Sequence, residues 1–276
     1  MKFINQKTRS FSNTVIVFVM IPLLMAGCQS VNPMLPSSQE PQEISSEIEL
    51  IEGQEFIDSF EPTISLDLGT VAQDTQVEII PAVSPDSNAP YWEILPKYQV
   101  FSLEGYEISE HLLKAQIFLY PVAELAAFNQ GADQIASNLE ILLDNQLVGE
   151  SLPFLPLFNA AQVMHSKVAF LDFENGSGVR FLTQFDQAPI PINNYELIYT
   201  FQGLTDDGKY YIAAIFPITH PSLPDDSMVD SGQEFNPKEF STEMAESVVK
   251  LGNFSDMDFS PTISQLDEVI RSINVQ

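Results

Sequence analysis

Thiols, imidazoles and positive charge are all scarce in this chain. Among 276 residues there is one cysteine, three histidines and one tryptophan, and 11 Lys and Arg stand against 38 Asp and Glu, a net charge of −27. One thiol, Cys28, excludes a disulfide within the chain, so the fold must stand on its apolar core. The histidines His111, His165 and His220 are isolated, with no His or Cys partner at ligand spacing, so a zinc site is not expected. Each reads as a surface or hydrogen-bonded residue. Their scarcity argues against general-base chemistry by histidine and leaves carboxylate chemistry open. The deficit of positive charge excludes a nucleic-acid partner, because phosphate binding needs a basic footprint. It also disfavours contact with anionic lipid heads. No apolar run reaches the roughly 20 residues of a membrane-spanning helix.

What apolar stretch there is lies at the start. Lys2, Lys7 and Arg9 precede Thr14–Gly27, which is apolar and interrupted by Pro22, and no acid occurs before Cys28. A basic start, a short apolar middle and small residues before a cleavage point describe a secretory signal peptide over residues 1–27. The segment Leu24-Met25-Ala26-Gly27-Cys28 resembles the lipobox of bacterial lipoproteins, with Met25 where that pattern usually has Leu. The resemblance implies that Cys28 becomes the lipidated N-terminus, bearing palmitate-class acyl chains. Two such chains suffice for stable anchoring, at about 0.8 kcal/mol per buried CH₂. Gln29 follows where an Asp often signals inner-membrane retention, which implies the outer membrane in a two-membrane host. Without the leader, eight basic residues face 38 acids, a net −30. Acidity on this scale reads as solubility and adaptation to the medium, with cation binding as the functional alternative.

Residues 28–50 are polar, Pro-bearing and without apolar period, and read as a tether. Residues 51–96 are expected to be a partly ordered extension draped on the domain, with short strand candidates at 63–68 and 77–80. The globular domain is expected over 97–276. Its strands are predicted at 98–103 and 115–122. Leu125, Phe128, Ala132, Ile135, Leu139 and Leu142 then recur at helical steps, interrupted near Gly131. Two hairpins follow, one turning through Asn175-Gly176 and one through Asp207-Gly208, sequences that accept the positive φ of tight turns. Asn236, Pro237 and Glu239 mark a helix start, with Phe240, Met244, Val248 and Leu251 as its stripe. A last helix begins near Ser260-Pro261 and turns Ile263, Leu266, Val269, Ile270 and Ile273 inward. The expected class is α+β: an antiparallel meander with two central hairpins, covered by helices on both faces.

The runs Phe173–Gln184 and Pro191–Tyr211, with the prolines Pro217, Pro221 and Pro224, resemble a family of bacterial predicted lipoproteins without an assigned activity. That resemblance covers roughly residues 90–275 and implies an extracytoplasmic domain. The order of strands, hairpins and terminal helix is similar, more loosely, to the PsbP/Mog1-like α-β-α sandwich.

Candidate chemistry is sparse. Ser177 lies between Gly176 and Gly178 but is flanked by strands on both sides, not by the strand–elbow–helix setting of a nucleophile. The loop bearing Asp225, Asp226, Asp230 and Glu234 could offer oxygen ligands to Ca²⁺, though its spacing is not that of an EF-hand; a solvated loop is the simpler reading. Asp206 and Asp207 read as turn residues. Arg180, within an apolar strand, either clamps a ligand carboxylate or forms an internal ion pair. Tyr195, Tyr199, Phe201, Tyr210 and Tyr211 line a cleft or form cross-strand pairs. No catalytic residue, metal or cofactor is assigned. The expected role is non-catalytic binding or interaction at the cell envelope, with the membrane engaged through Cys28 and an envelope protein or small ligand as partner. The alternative is a carboxylate-dependent enzyme acting on envelope polymers or peptides.

Overall fold

Apolar residues on both faces of a strand require cover on both faces, and the two hairpins show how this is met. The computed structural model describes residues 62–226 and 236–276. The leader, Cys28 and the tether therefore lie outside the described residues, as do residues 51–61 of the expected extension. The strands are β1 (Ile64–Ser65), β2 (Asp74–Ile80), β3 (Tyr98–Glu104), β4 (Gln116–Pro121), β5 (Ala161–Phe173), β6 (Gly176–Asp186), β7 (Ile198–Thr205), β8 (Tyr210–Pro217) and β9 (Asn274–Val275). The helices are α1 (Val122–Phe128), α2 (Gln130–Asn145), α3 (Pro237–Asn253) and α4 (Ile263–Arg271). Seven strands form one antiparallel sheet in the order β2-β3-β4-β8-β7-β6-β5. The fold class is thus α+β, with helices packed against both faces of that sheet.

The sheet is two meanders joined at the β4–β8 seam, and α1 and α2 carry the chain from the end of β4 to the far edge at β5. One face, with Phe101, Ile117, Tyr199, Phe201 and Phe216, packs on Leu251 of α3 and on the stripe Ile263, Leu266, Val269 and Ile270 of α4. The other, with Phe118, Tyr120, Phe181, Tyr211 and Ile215, packs on Leu125, Ala132, Ala136, Leu139 and Leu142 of α1 and α2. The interruption between these helices falls at Asn129, not at Gly131. Asn129 is buried and caps α2 by accepting from the N–H groups of Gly131 and Ala132, while its amide donates to the carbonyls of Tyr91 and Ile94. At α3 the cap is as the sequence predicts, Asn236 accepting from Lys238 and Glu239 N–H with Pro237 at the first position. Of its stripe only Leu251 is fully buried; Met244 and Val248 are half-buried.

The hairpins differ in their turns. Gly208 has φ +67°, as its turn requires. The Asn175-Gly176 turn does not use positive φ at either residue; Gly176 already pairs with Phe173 in the ladder. Asn175 has another task. Its side chain donates to the Val275 carbonyl at 2.7 Å and accepts from the Val275 N–H at 3.0 Å, tying β9 to the hairpin. Gly178 is needed for close approach, since a Cβ there would lie 2.3 Å from the Phe201 ring and 2.5 Å from the Gln202 carbonyl oxygen.

The segment before residue 97 contributes to the sheet. β2 pairs along its whole length with β3, and β1 pairs with β9 at the other end of the chain.

Candidate functional site

A groove built by segment 146–160 is the best-formed candidate for a binding site among the described residues. It lies between α2, this segment and the β5–β6 edge, and measures about 460 Å³. Glutamine side chains hold the segment. Gln202, fully buried on β7, accepts from the Leu155 N–H at 2.9 Å and donates to the Leu155 carbonyl at 3.1 Å, doing for Leu155 what a neighbouring strand would. The Tyr211 hydroxyl donates to the same Gln202 oxygen at 2.7 Å and keeps it in place. Gln162 on β5 accepts from the Leu152 N–H at 2.9 Å. So fixed, Phe154 and Phe158 close against Phe185 of β6, with ring centroids 4.4 to 5.3 Å apart.

The walls are mixed: three phenylalanines and several Leu, Ile and Pro stand beside the neutral polar side chains of Asn138, Asn145, Ser151 and Gln162, and none of the lining side chains is ionisable. In a chain of charge −27 this is a local exclusion of charge. The rim is apolar: Leu147 is 74% exposed and Ile141 57%. A few hundred cubic ångströms with apolar side chains and a few neutral polar ones is the ordinary size and character of a small-molecule site.

A second cluster lies at the end of β6. Gln184 donates through Nε2 to Asp186 Oδ2 at 2.7 Å and to Glu196 Oε2 at 2.9 Å, and Asn193 donates to the same Glu196 oxygen at 2.9 Å. Burial raises the affinity of both carboxyls for a proton above the usual carboxylate range, and the charge of Asp186 adds to it at Glu196. Two acids brought this close share a proton more readily than they carry two charges.

The sequence-predicted residues fall as follows. Arg180 is internal: it makes a bidentate pair with Asp267 of α4, at 3.1 Å through both Nε and Nη2, and Nη1 donates to the Lys167 carbonyl. The Tyr199 hydroxyl donates to Asp267 at 2.8 Å, and Arg271 approaches to 3.9 Å. Lys167 takes a left-handed backbone, φ 54°, at a bulge in β5, and its ammonium pairs with Asp256 at 2.8 Å and donates to the Phe254 carbonyl. Tyr199, Phe201 and Tyr211 are fully buried core, whereas Tyr195 is exposed and Tyr210 half-buried. Ser177 sits in β6 opposite Leu204 and Asp172.

The histidines stay apart. His111 bridges the Leu113 N–H and the Leu197 carbonyl. His165 is half-buried on β5. His220 is buried and stacked on Phe254 at 3.7 Å, accepting from the Ser222 N–H. Burial lowers the proton affinity of all three. Asp225 and Asp226 line a polar cleft of about 1110 Å³ with His111 and Tyr195. Asp230 and Glu234 lie outside the described residues. Among the described residues no group of three or more His, Cys, Asp or Glu could hold a metal, and no helix is long and apolar enough to cross a membrane. Asp207 is held down to about pKa 2 by Lys209 and Thr205, as a turn residue.

The sequence reading missed the groove and the Asp186–Glu196 pair. Segment 146–160 carries no periodicity, and its one legible signal was a dense run of Phe, Leu and Pro over 152–158 without charge.

Comparison with known proteins returns no match: no family model fits the sequence, and no curated protein or solved structure is similar to it at a significant level.

Proposed function

We propose that this chain is a lipid-anchored envelope protein, of the predicted-lipoprotein kind, whose domain holds an uncharged apolar ligand without transforming it. The observation that carries the reading is the groove lined by Phe154, Phe158 and Phe185. It offers apolar area and excludes charge, and the one hydroxyl in its walls, Ser151, has no histidine, lysine or carboxylate beside it in the lining to activate it. Burial of ligand surface there would contribute on the order of 25 cal/mol per Å² before the cost of association. The anchor on Cys28 and the tether would keep the groove near a membrane, which is a source of such ligands.

The test is binding of a neutral solvatochromic dye, Nile red, to the purified protein. Saturable binding should be lost in Phe158→Asp, with some fall in melting temperature because Phe158 packs on Phe154 and Phe185, and weakened in the exposed Leu147→Asp, whose melting temperature should stay close to that of the parent. Absence of saturable binding, or binding indifferent to both changes, refutes the reading.

The carboxylate-dependent enzyme remains as a second reading because of the Asp186–Glu196 pair, two carboxyls joined through Gln184 whose proton affinity burial raises. It predicts turnover of an envelope peptide or polymer that is lost in Glu196→Gln.

A further inference from the structure

The two edges of the large sheet are treated differently. At β5 the ladder is broken twice, after Gln162 and after Ser166, Lys167 takes a left-handed backbone at the second break, and α3 packs against the strand. Bulges and helical cover are ordinary devices against edge-to-edge pairing. Among the described residues, β2 has neither. It runs seven residues in unbroken register with β3, contains no Pro and no Lys, and is the terminal strand of the sheet. Val77 is 52% exposed and Ile79 49%, so an apolar ledge runs along this edge on the α3–α4 side of the sheet.

We propose that β2 is a dimerisation edge: it pairs antiparallel with β2 of a second copy about a two-fold axis at Val77, joining two sheets into one of fourteen strands. The strand is self-complementary about Val77: that axis pairs all seven residues of β2, and the acids disfavour the registers on either side of it. With the axis at Val77, Val77 meets its own counterpart, Thr75 meets Ile79, Gln76 meets Glu78 and Asp74 meets Ile80, so no acid opposes an acid. A shift of one residue towards the start sets Asp74 against Glu78 twice. A shift of one residue the other way sets Glu78 against itself. Like charges directly opposite destabilise a strand pair, whereas β-branched residues opposite one another support it. The contact is isologous and closes on itself, so it makes a dimer and not a fibre. Each copy carries −27, so the copies repel at a distance, and added salt should tighten the dimer by screening.

The test uses the full chain in detergent with Cys28→Ser, which removes the only other thiol. Directly opposed residues in an antiparallel pair have Cα atoms about 4.5–5.5 Å apart, within reach of a disulfide. Val77→Cys should cross-link to a covalent dimer under mild oxidation. Gln76→Cys and Glu78→Cys should not cross-link singly, but should do so when the two are mixed. Sedimentation of the chain without the added cysteines should show a monomer–dimer equilibrium that shifts towards dimer with salt. Val77→Lys should weaken it at least tenfold while leaving the melting temperature in place. A single monomer mass at all concentrations overturns the proposal, as it would if residues before β1 occupied the edge. Equal cross-linking at all three positions, or cross-linking best at Gln76, overturns it too.

Discussion

Replacing Asp267 by Leu should be among the most damaging single changes this domain can suffer. Asp267 receives both arms of Arg180 at 3.1 Å and the Tyr199 hydroxyl at 2.8 Å, and both charged side chains are less than a tenth exposed. Solvent screening is therefore slight. The change leaves the Arg180 guanidinium buried with the Lys167 carbonyl as its remaining acceptor. Breaking a buried pair from one side costs about 3–5 kcal/mol, because the surviving charge is uncompensated. For a domain of this size that corresponds to a fall of roughly 6–20 °C in Tm. Arg180→Met should cost less, because Asp267 keeps Tyr199 and has Arg271 at 3.9 Å. The double variant Arg180→Met/Asp267→Leu should recover most of the loss, since apolar replacement of a whole buried pair is often neutral or stabilising by about 1–4 kcal/mol. Urea unfolding of the four proteins measures the cycle. If Asp267→Leu costs under about 1 kcal/mol, or if the two single losses simply add in the double variant, the pair is not a coupled buried unit and the reasoning fails.

Gly208→Val should destabilise by about 1–3 kcal/mol through backbone strain alone, since φ is +67° and no atom lies within 4 Å of the added Cβ; Gly208→Asn should cost less, and equal melting of both variants with the parent would count against it. The Asp186 and Glu196 carboxyls hold protons more tightly folded than unfolded, so their contribution to stability is full below the ordinary carboxylate range and is lost as pH rises through the folded values; Glu196→Gln should flatten that decline in a pH series of melts, and an unchanged profile would show that the pair does not share a proton. Cys28→Ser should release the protein from the membrane fraction and remove any lipid mass from its N-terminal peptide; a mature chain starting elsewhere, or an unmodified Cys28 in the parent, would refute the anchor.

Local pattern was enough to read the hairpin strands, the cap at Asn236-Pro237, the inward face of α4 and the α+β class, because each depends on residues within a few positions of one another. Even Arg180 was legible in part: a lone cation in an apolar strand of an acidic chain has an internal acid as its natural partner. Which acid it takes was not legible, since Asp267 is 87 residues away and chosen by the packing of α4 on the sheet. The same holds for the β4–β8 seam, which has no local signature and closes because both faces of both strands need cover. It holds for β2, whose weak alternation hid a full edge strand. The groove shows the limit most plainly. Segment 146–160 has no period to read, and its shape comes from Gln202 and Gln162, whose side chains serve its backbone from 47 and 10 residues away. Composition and periodicity determined which stretches would be strand or helix and which faces would be apolar. Only the tertiary structure decided which strands meet, which polar side chains stand in for a missing strand, and where charge is excluded.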